Sequence, residues 1–245
     1  MSDEPPPPDT TLAVILGASS WPEYPGFQPS AAFRESAEAI RAYLLDQSGL
    51  ALPRRNLKFL FDTYDDPPVV LDEIRRFIRT RGEELTEAET PPRDLIVYYV
   101  GHGGFANPSS DFFLAMRSTR EFDPYISSLT ANAFSNILKQ EARFLRKYLI
   151  IDSCFAASLY RVFMGSGGPV GVAGVKLKTA FADSGTALLC ASGPRDPAKA
   201  PEGMNYTMFT GALVDVLKKR RRERACDLVA SGYRLPCETL NRSPL

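Results

Sequence analysis

Five short apolar runs punctuate the chain, and between them apolar residues recur at helical spacing. Leu12-Ala-Val-Ile-Leu16, Asn56-Leu-Lys-Phe-Leu-Phe61, Asp94-Leu-Ile-Val-Tyr-Tyr-Val100, Tyr148-Leu-Ile-Ile151 and Thr186-Ala-Leu-Leu-Cys-Ala-Ser192 read as strands. The third is continuous in apolar residues, as expected of a parallel strand covered on both faces. Phe112-Phe-Leu-Ala-Met116 reads as a further, short strand.

The intervening segments predict helices. Ser30 is a good N-cap, and Phe33, Ala37, Ile40 and Leu44 follow it at helical spacing. Pro67-Pro68 restarts the chain into a second helix with an apolar stripe of Val70, Ile74, Phe77 and Ile78. Arg75, Arg76, Arg79 and Arg81 fall on its other faces and are expected to be solvated. Thr130 caps a helix carrying Phe134, Ile137 and Leu138, and a last helix carries Phe209, Leu213, Val216 and Leu217. Strands alternating with helices predict an α/β fold, a mostly parallel central sheet with helices on both faces. Functional sites of such sheets form outside the carboxyl ends of the strands.

Composition narrows the function. Lys plus Arg and Asp plus Glu number 29 each, so the net charge of zero gives no case for a nucleic-acid or membrane partner. Cys154, Cys190, Cys226 and Cys237 lack the close spacing of a zinc site, and the single histidine cannot complete a common ligand set. The residues call for no metal and no cofactor. A reduced, cytoplasmic setting fits this cysteine usage. The acidic, proline-rich start has neither the charged region nor the apolar region of a signal peptide, and no apolar stretch reaches the about 18 residues of a membrane span. A disordered leader is expected over 1–10, one domain over 11–225 and a weakly patterned tail over 226–245. Residues 161–184 are glycine-rich with few periodic apolar positions and read as a long flexible loop. Lys218-Lys-Arg-Arg-Arg222 reads as a basic last helical turn complementing the helix dipole.

His102 follows the third strand inside Gly101-His102-Gly103-Gly104, and Cys154 follows the fourth in Asp152-Ser153-Cys154, fifty-two residues on. Either residue alone is ordinarily structural. Together at two strand ends they meet the needs of thiol catalysis: a nucleophile, and a base that later protonates the leaving amine. A helix starting in Phe155–Tyr160 would favour the thiolate. The N–H groups of Gly103 and Cys154 are candidates for an oxyanion hole. Gly101–Gly104 is similar to the oxyanion loop of some esterases, but the Gly-x-Ser-x-Gly elbow and a second histidine are missing.

The paired pattern, apolar strand with Gly-His-Gly and then apolar strand with Asp-x-Cys, resembles the caspase-like cysteine peptidases. The prokaryotic caspase homologues and metacaspases are the nearest of them. The resemblance spans roughly Leu12 to Leu217, including Ala191-Ser192 and Phe209-Thr-Gly-Ala-Leu213. It implies a three-layer caspase-like fold and a His102–Cys154 dyad. The Gln-Ala-Cys-Arg-Gly motif of true caspases is replaced by Asp152-Ser-Cys-Phe-Ala156, and Tyr24–Ser30 holds no arginine to bind a substrate aspartate. In metacaspases an acid two residues before the cysteine floors the first specificity pocket. By that resemblance Asp152 is the substrate-binding acid, and cleavage is expected after Arg or Lys, whose charge a carboxylate matches. The second pocket acid of metacaspases, in a Cys-x-Asn-Asp pattern, has no counterpart here, and the calcium dependence of some metacaspases is left open.

Two function classes follow: a regulated cysteine endopeptidase, and a catalytically silent scaffold of the same fold that binds a partner. Prokaryotic relatives of this type often act in defence or cell death, switched on by a partner, so the resemblance implies a peptide or protein substrate and an activating partner protein. Residues 161–184 occupy the place where caspase-like zymogens are cut, and Arg161, Lys176 and Lys178 are the candidate processing sites. If processing at the two lysines is required, a Lys176→Ala/Lys178→Ala protein stays uncut on gels and inactive; full activity of the uncut protein removes the requirement.

Overall fold

The computed structural model describes residues 5–106, 111–154, 156, 185–192 and 205–230. Five strands, β1 (Thr11–Gly17), β2 (Leu57–Phe61), β3 (Asp94–Val100), β7 (Arg146–Asp152) and β8 (Thr186–Cys190), form one sheet in the order β2-β1-β3-β7-β8. Every pairing in it is parallel. β1 and β3 are wholly buried, which is why their sequences are apolar without alternation.

Helices cover both faces, giving three layers. On one face α2 (Pro67–Glu87) and α4 (Ala131–Glu141) bring Val70, Ile74, Ile78, Phe134 and Leu138 against Leu12, Val14, Val97 and Leu149. On the other, α1 (Ala31–Leu45) and α5 (Met208–Ala230) bring Phe33, Ala37, Ile40 and Val214 against Ala13, Ile15, Ile96 and Tyr98. The two expected caps are formed: Ser30 Oγ accepts from Ala32 N–H and Thr130 Oγ1 from Ala133 N–H. No helix among the described residues is long and apolar enough to cross a membrane.

Beyond the carboxyl end of β3 the chain builds a second, antiparallel sheet of β4 (Gly103–Ala106), β5 (Asp111–Leu114) and β6 (Leu129–Thr130), with a short α3 (Pro124–Ser127) between β5 and β6. Of its strands, β5 lies on the short strand expected at Phe112–Met116. β4 has almost no pattern to find, because two of its four residues are glycine.

Two expectations are corrected. Arg81 is buried: its Nε donates to Asn56 Oδ1 at 2.8 Å, and Nη1 reaches Glu84. Asn56 in turn donates to the carbonyls of Pro8, Asp9 and Thr11, so this arginine ties α2 to the chain entering β1. Arg75, Arg76 and Arg79 are more exposed and paired with Asp72 or Glu141. On α5, Val216 faces solvent and Val214 is buried instead. The packed stripe is Thr210, Leu213, Val214 and Leu217, the i, i+3, i+4, i+7 face set by a polar residue that apolar counting passes over.

Asp94, fully buried at the start of β3, accepts two hydrogen bonds from Arg146 at the start of β7, at 2.6 and 2.7 Å. Removing the arginine leaves this buried carboxylate without its charge partner. Arg146→Met is therefore expected to lower unfolding free energy by about 3 kcal/mol, measured by urea titration, and unchanged stability would show that the pair contributes nothing.

Candidate functional site

The register of the two central strands does the first positioning. β3 and β7 pair without offset from Asp94↔Arg146 to Val100↔Asp152, and Gly101 N–H then donates to the Asp152 carbonyl at 3.1 Å. His102 and Cys154 therefore each stand two residues past the same rung, on neighbouring strands. Adjacent strands lie about 4.8 Å apart, so the two sequence-predicted residues share one end of the sheet.

Two glycines make the turn. Gly101 has a φ of +153°, and a methyl there would come within 3.0 Å of Tyr99 Oη and 3.3 Å of the Trp21 ring. At Gly103 a methyl would meet Phe112 Cζ at 2.7 Å, the Cys154 carbonyl at 3.0 Å and Ser153 Oγ at 3.1 Å. The glycine after the histidine is thus needed for close approach to the Ser153–Cys154 backbone. Ala115 N–H donates to the His102 carbonyl at 2.9 Å, which makes that rung hydrogen-bonded and the next, Gly103↔Leu114, not. The Gly103 N–H consequently points away from β5, free of the ladder, as an oxyanion donor requires.

The imidazole of His102 lies in an aromatic box. Phe27 stacks on it at 4.7 Å with 17° between planes, Trp21 lies tilted at 4.5 Å, and Phe33 meets it edge-on at 5.3 Å. Nε2 is 3.0 Å from the Gln28 carbonyl. A carbonyl only accepts, so Nε2 carries the proton and Nδ1 the lone pair. Desolvation by these rings lowers the imidazole pKa, with the Gln28 bond opposing it. Hydrophobic periodicity does not mark the box. Its signal was three aromatic residues, Trp21, Tyr24 and Phe27, in a Pro/Gly-rich loop that no helix or strand needs them to fill.

Cys154 is a partly exposed thiol that forms no disulfide. The turn carrying it is braced from the end of β8: Ser192 Oγ donates to the Ser153 carbonyl at 2.8 Å and accepts from Ala156 N–H at 3.2 Å. Cys190 likewise forms no disulfide, and burial pushes its thiol up to about 12, which keeps it inert at neutral pH.

Asp152 points into the α1/α5 layer and is almost wholly buried. Its Oδ2 accepts from the hydroxyls of Thr207 and Thr210, the latter at 2.6 Å. Thr207 Oγ1 also accepts from Thr210 N–H at 3.1 Å, and Thr207 N–H donates to Ser36 Oγ at 3.1 Å. With its own proton committed to Asp152, the Thr210 hydroxyl accepts from Tyr98, at 2.6 Å. Burial raises the Asp152 carboxyl pKa and these donors partly offset it. The carboxylate therefore anchors the first turn of α5, a contact the sequence did not reveal because fifty-five residues separate Asp152 from Thr207.

Among the described residues no group of three or more His, Cys, Asp or Glu side chains could hold a metal ion. The processing candidates Arg161, Lys176 and Lys178, and most of the helix expected from Phe155 to Tyr160, lie outside the described residues.

The one histidine gives a single, assignable imidazole signal. Its NMR titration is expected to show a pKa below about 6.5, and Phe27→Ala, which wets the ring, should move it upward. A value above 6.5 would mean an imidazolium held by a thiolate and overturn the neutral ground state. The unfolded chain takes up this proton first, so the group's contribution to stability is present above pH about 6.5 and is lost as pH falls through the lower folded value. No protein-family model matches this chain, and no curated protein matches it.

Proposed function

We propose that this protein is a caspase-like cysteine endopeptidase with His102 and Cys154 as its dyad and Asp152 selecting Arg or Lys before the scissile bond. The single observation that carries the reading is the offset-free pairing of β3 with β7, which sets a proton-accepting imidazole nitrogen and the Cys154 thiol past the same rung. A histidine that only packs does not need a glycine on each side with neighbouring atoms so close to both.

The chemistry follows from these groups. His102 Nδ1 takes the Cys154 thiol proton as Sγ bonds to the substrate carbonyl carbon. The resulting oxyanion is held by the N–H groups of Gly103 and Cys154. Nδ1–H then protonates the leaving amine as the C–N bond breaks, giving a thioester. Water adds to that thioester, its proton passing to Nδ1, and the carboxylate product departs as the thiol is restored. A neutral imidazole with its Nε2–H fixed by Gln28 is suited to the first step, and the lowered pKa keeps it neutral at pH 7.

Asp152 supplies a negative charge on the same face of the sheet as the His102 box, and a guanidinium would find there a carboxylate already poised by two hydroxyls. Autoprocessing at Arg161, Lys176 or Lys178, an activating partner and a role in prokaryotic defence extend this reading.

Purified protein and a Cys154→Ala control, incubated with peptides carrying each residue before the cut, test it. Cleavage after Arg or Lys by the wild type alone is the expected result. Cleavage after Asp keeps the dyad and ends the Asp152 assignment. No cleavage, even after trypsin has nicked residues 161–184, favours the silent scaffold. Asp152→Asn, which keeps an acceptor for Thr207 and Thr210, is expected to lower kcat/KM for arginyl substrates roughly thirtyfold or more while leaving the melting temperature near that of the wild type.

A further inference from the structure

The segment joining β5 to β6 presents three large apolar side chains to solvent within five residues: Phe122, fully exposed, Ile126, at 68%, and Tyr125, at 49%. Exposed apolar side chains gathered in one turn mark an interaction surface. Its presentation is rigid. Thr119 Oγ1 accepts from Met116 N–H and donates to the Ser127 carbonyl, Ser127 Oγ accepts from Arg120 N–H, and Arg120 forks onto Asp123 at 3.0 and 2.9 Å.

The patch is also tied to the candidate site. Glu121 N–H donates to the Glu23 carbonyl at 3.0 Å, joining it to the loop that holds Tyr24, Phe27 and Gln28. Tyr24 stacks on Phe27 at 3.9 Å, and Phe27 stacks on His102. The surroundings are acidic: Glu23 and Glu121 are exposed, and Glu23 and Asp66 both act on Arg120, whose own charge is taken by Asp123.

We propose that this surface is a substrate-docking exosite, which engages a polypeptide segment carrying an aromatic or aliphatic side chain flanked by Lys or Arg, outside the residues next to the scissile bond. The proposal rests on the peptidase reading and deepens it. The occupant follows from complementarity: apolar anchors call for an apolar side chain, and a rim where Glu23, Glu121, Asp66 and Asp123 outnumber Arg120 calls for basic neighbours, the same charge that Asp152 would select at the cut. A rigid surface spends little entropy on binding.

The test compares two probes on the wild type and on Phe122→Ser/Ile126→Ser. One is a short peptide ending in an arginyl-coumarin amide, which does not reach the patch. The other is a long, internally quenched peptide with one arginine flanked by Lys, Leu and Phe. The expected result is a loss of about tenfold in kcat/KM for the long probe, a smaller loss for Glu121→Gln that shrinks as salt rises, and no change for the short one. Equal losses on both probes, no loss on either, or a self-association in sedimentation that the variant abolishes would overturn the exosite. If the wild type cuts neither probe even after trypsin has nicked residues 161–184, the peptidase reading fails separately, and fluorescence anisotropy of the labelled long peptide on Cys154→Ala protein decides. Binding weakened about tenfold by the double substitution supports the surface; no binding, or binding unaffected, overturns it.

Discussion

The candidate site depends on one constraint, the offset-free parallel pairing of β3 with β7. Parallel neighbours keep rungs in step for seven consecutive pairs here, from Asp94↔Arg146 to Val100↔Asp152. A shift of one residue would turn every side chain of β7 to the opposite helical layer and carry Cys154 away from His102. The register is held at its lower end by the Asp94–Arg146 pair and at its upper end by Gly101 N–H on the Asp152 carbonyl. Between those ends the strands are largely apolar on both faces, so the polar contacts at the ends and the fit of side chains into the two layers hold the register.

The same rung joins the sheet to its α1/α5 layer. Asp152 reaches from β7 into the first turn of α5, where Thr207 both receives the Thr210 N–H and gives its hydroxyl to the carboxylate. Ser36 of α1 closes the group by accepting from Thr207 N–H. A charge this deeply buried is costly unless hydrogen-bonded, so α5 has a reason to begin where it does. It also means that the residue proposed to read the substrate is the residue that docks the last helix. The proposed substrate recognition and the seating of α5 would then be linked through one carboxylate.

His102 shows how a flexible-looking loop becomes part of a rigid site. Residues Trp21 to Gln28 carry little secondary structure, yet three rings and one carbonyl from the stretch before and within α1 fix the imidazole's plane and its tautomer. The small antiparallel sheet then holds the other side, with Ala115 N–H on the His102 carbonyl. The position of the histidine comes from sequence-distant groups, and so does its lowered pKa.

The five strands, the four main helices and the two residues proposed for catalysis were legible in the sequence, because each rests on a local signal. Buried strands are apolar runs, helices repeat at 3.6 residues with Ser30 and Thr130 as caps, and parallel sheets place polar residues at strand ends. What the tertiary structure decided are the contacts between residues far apart in the chain. Arg81 looked like one more solvated arginine until Asn56 claimed it, and Val216 looked like core until Thr210 turned α5 toward Asp152. The box around His102 and the hydroxyls around Asp152 likewise leave no periodic trace. Hydrophobic periodicity reports which face of an element is buried, but a polar side chain's partner is chosen only when the layers close, and that choice sets the charge and geometry of the site.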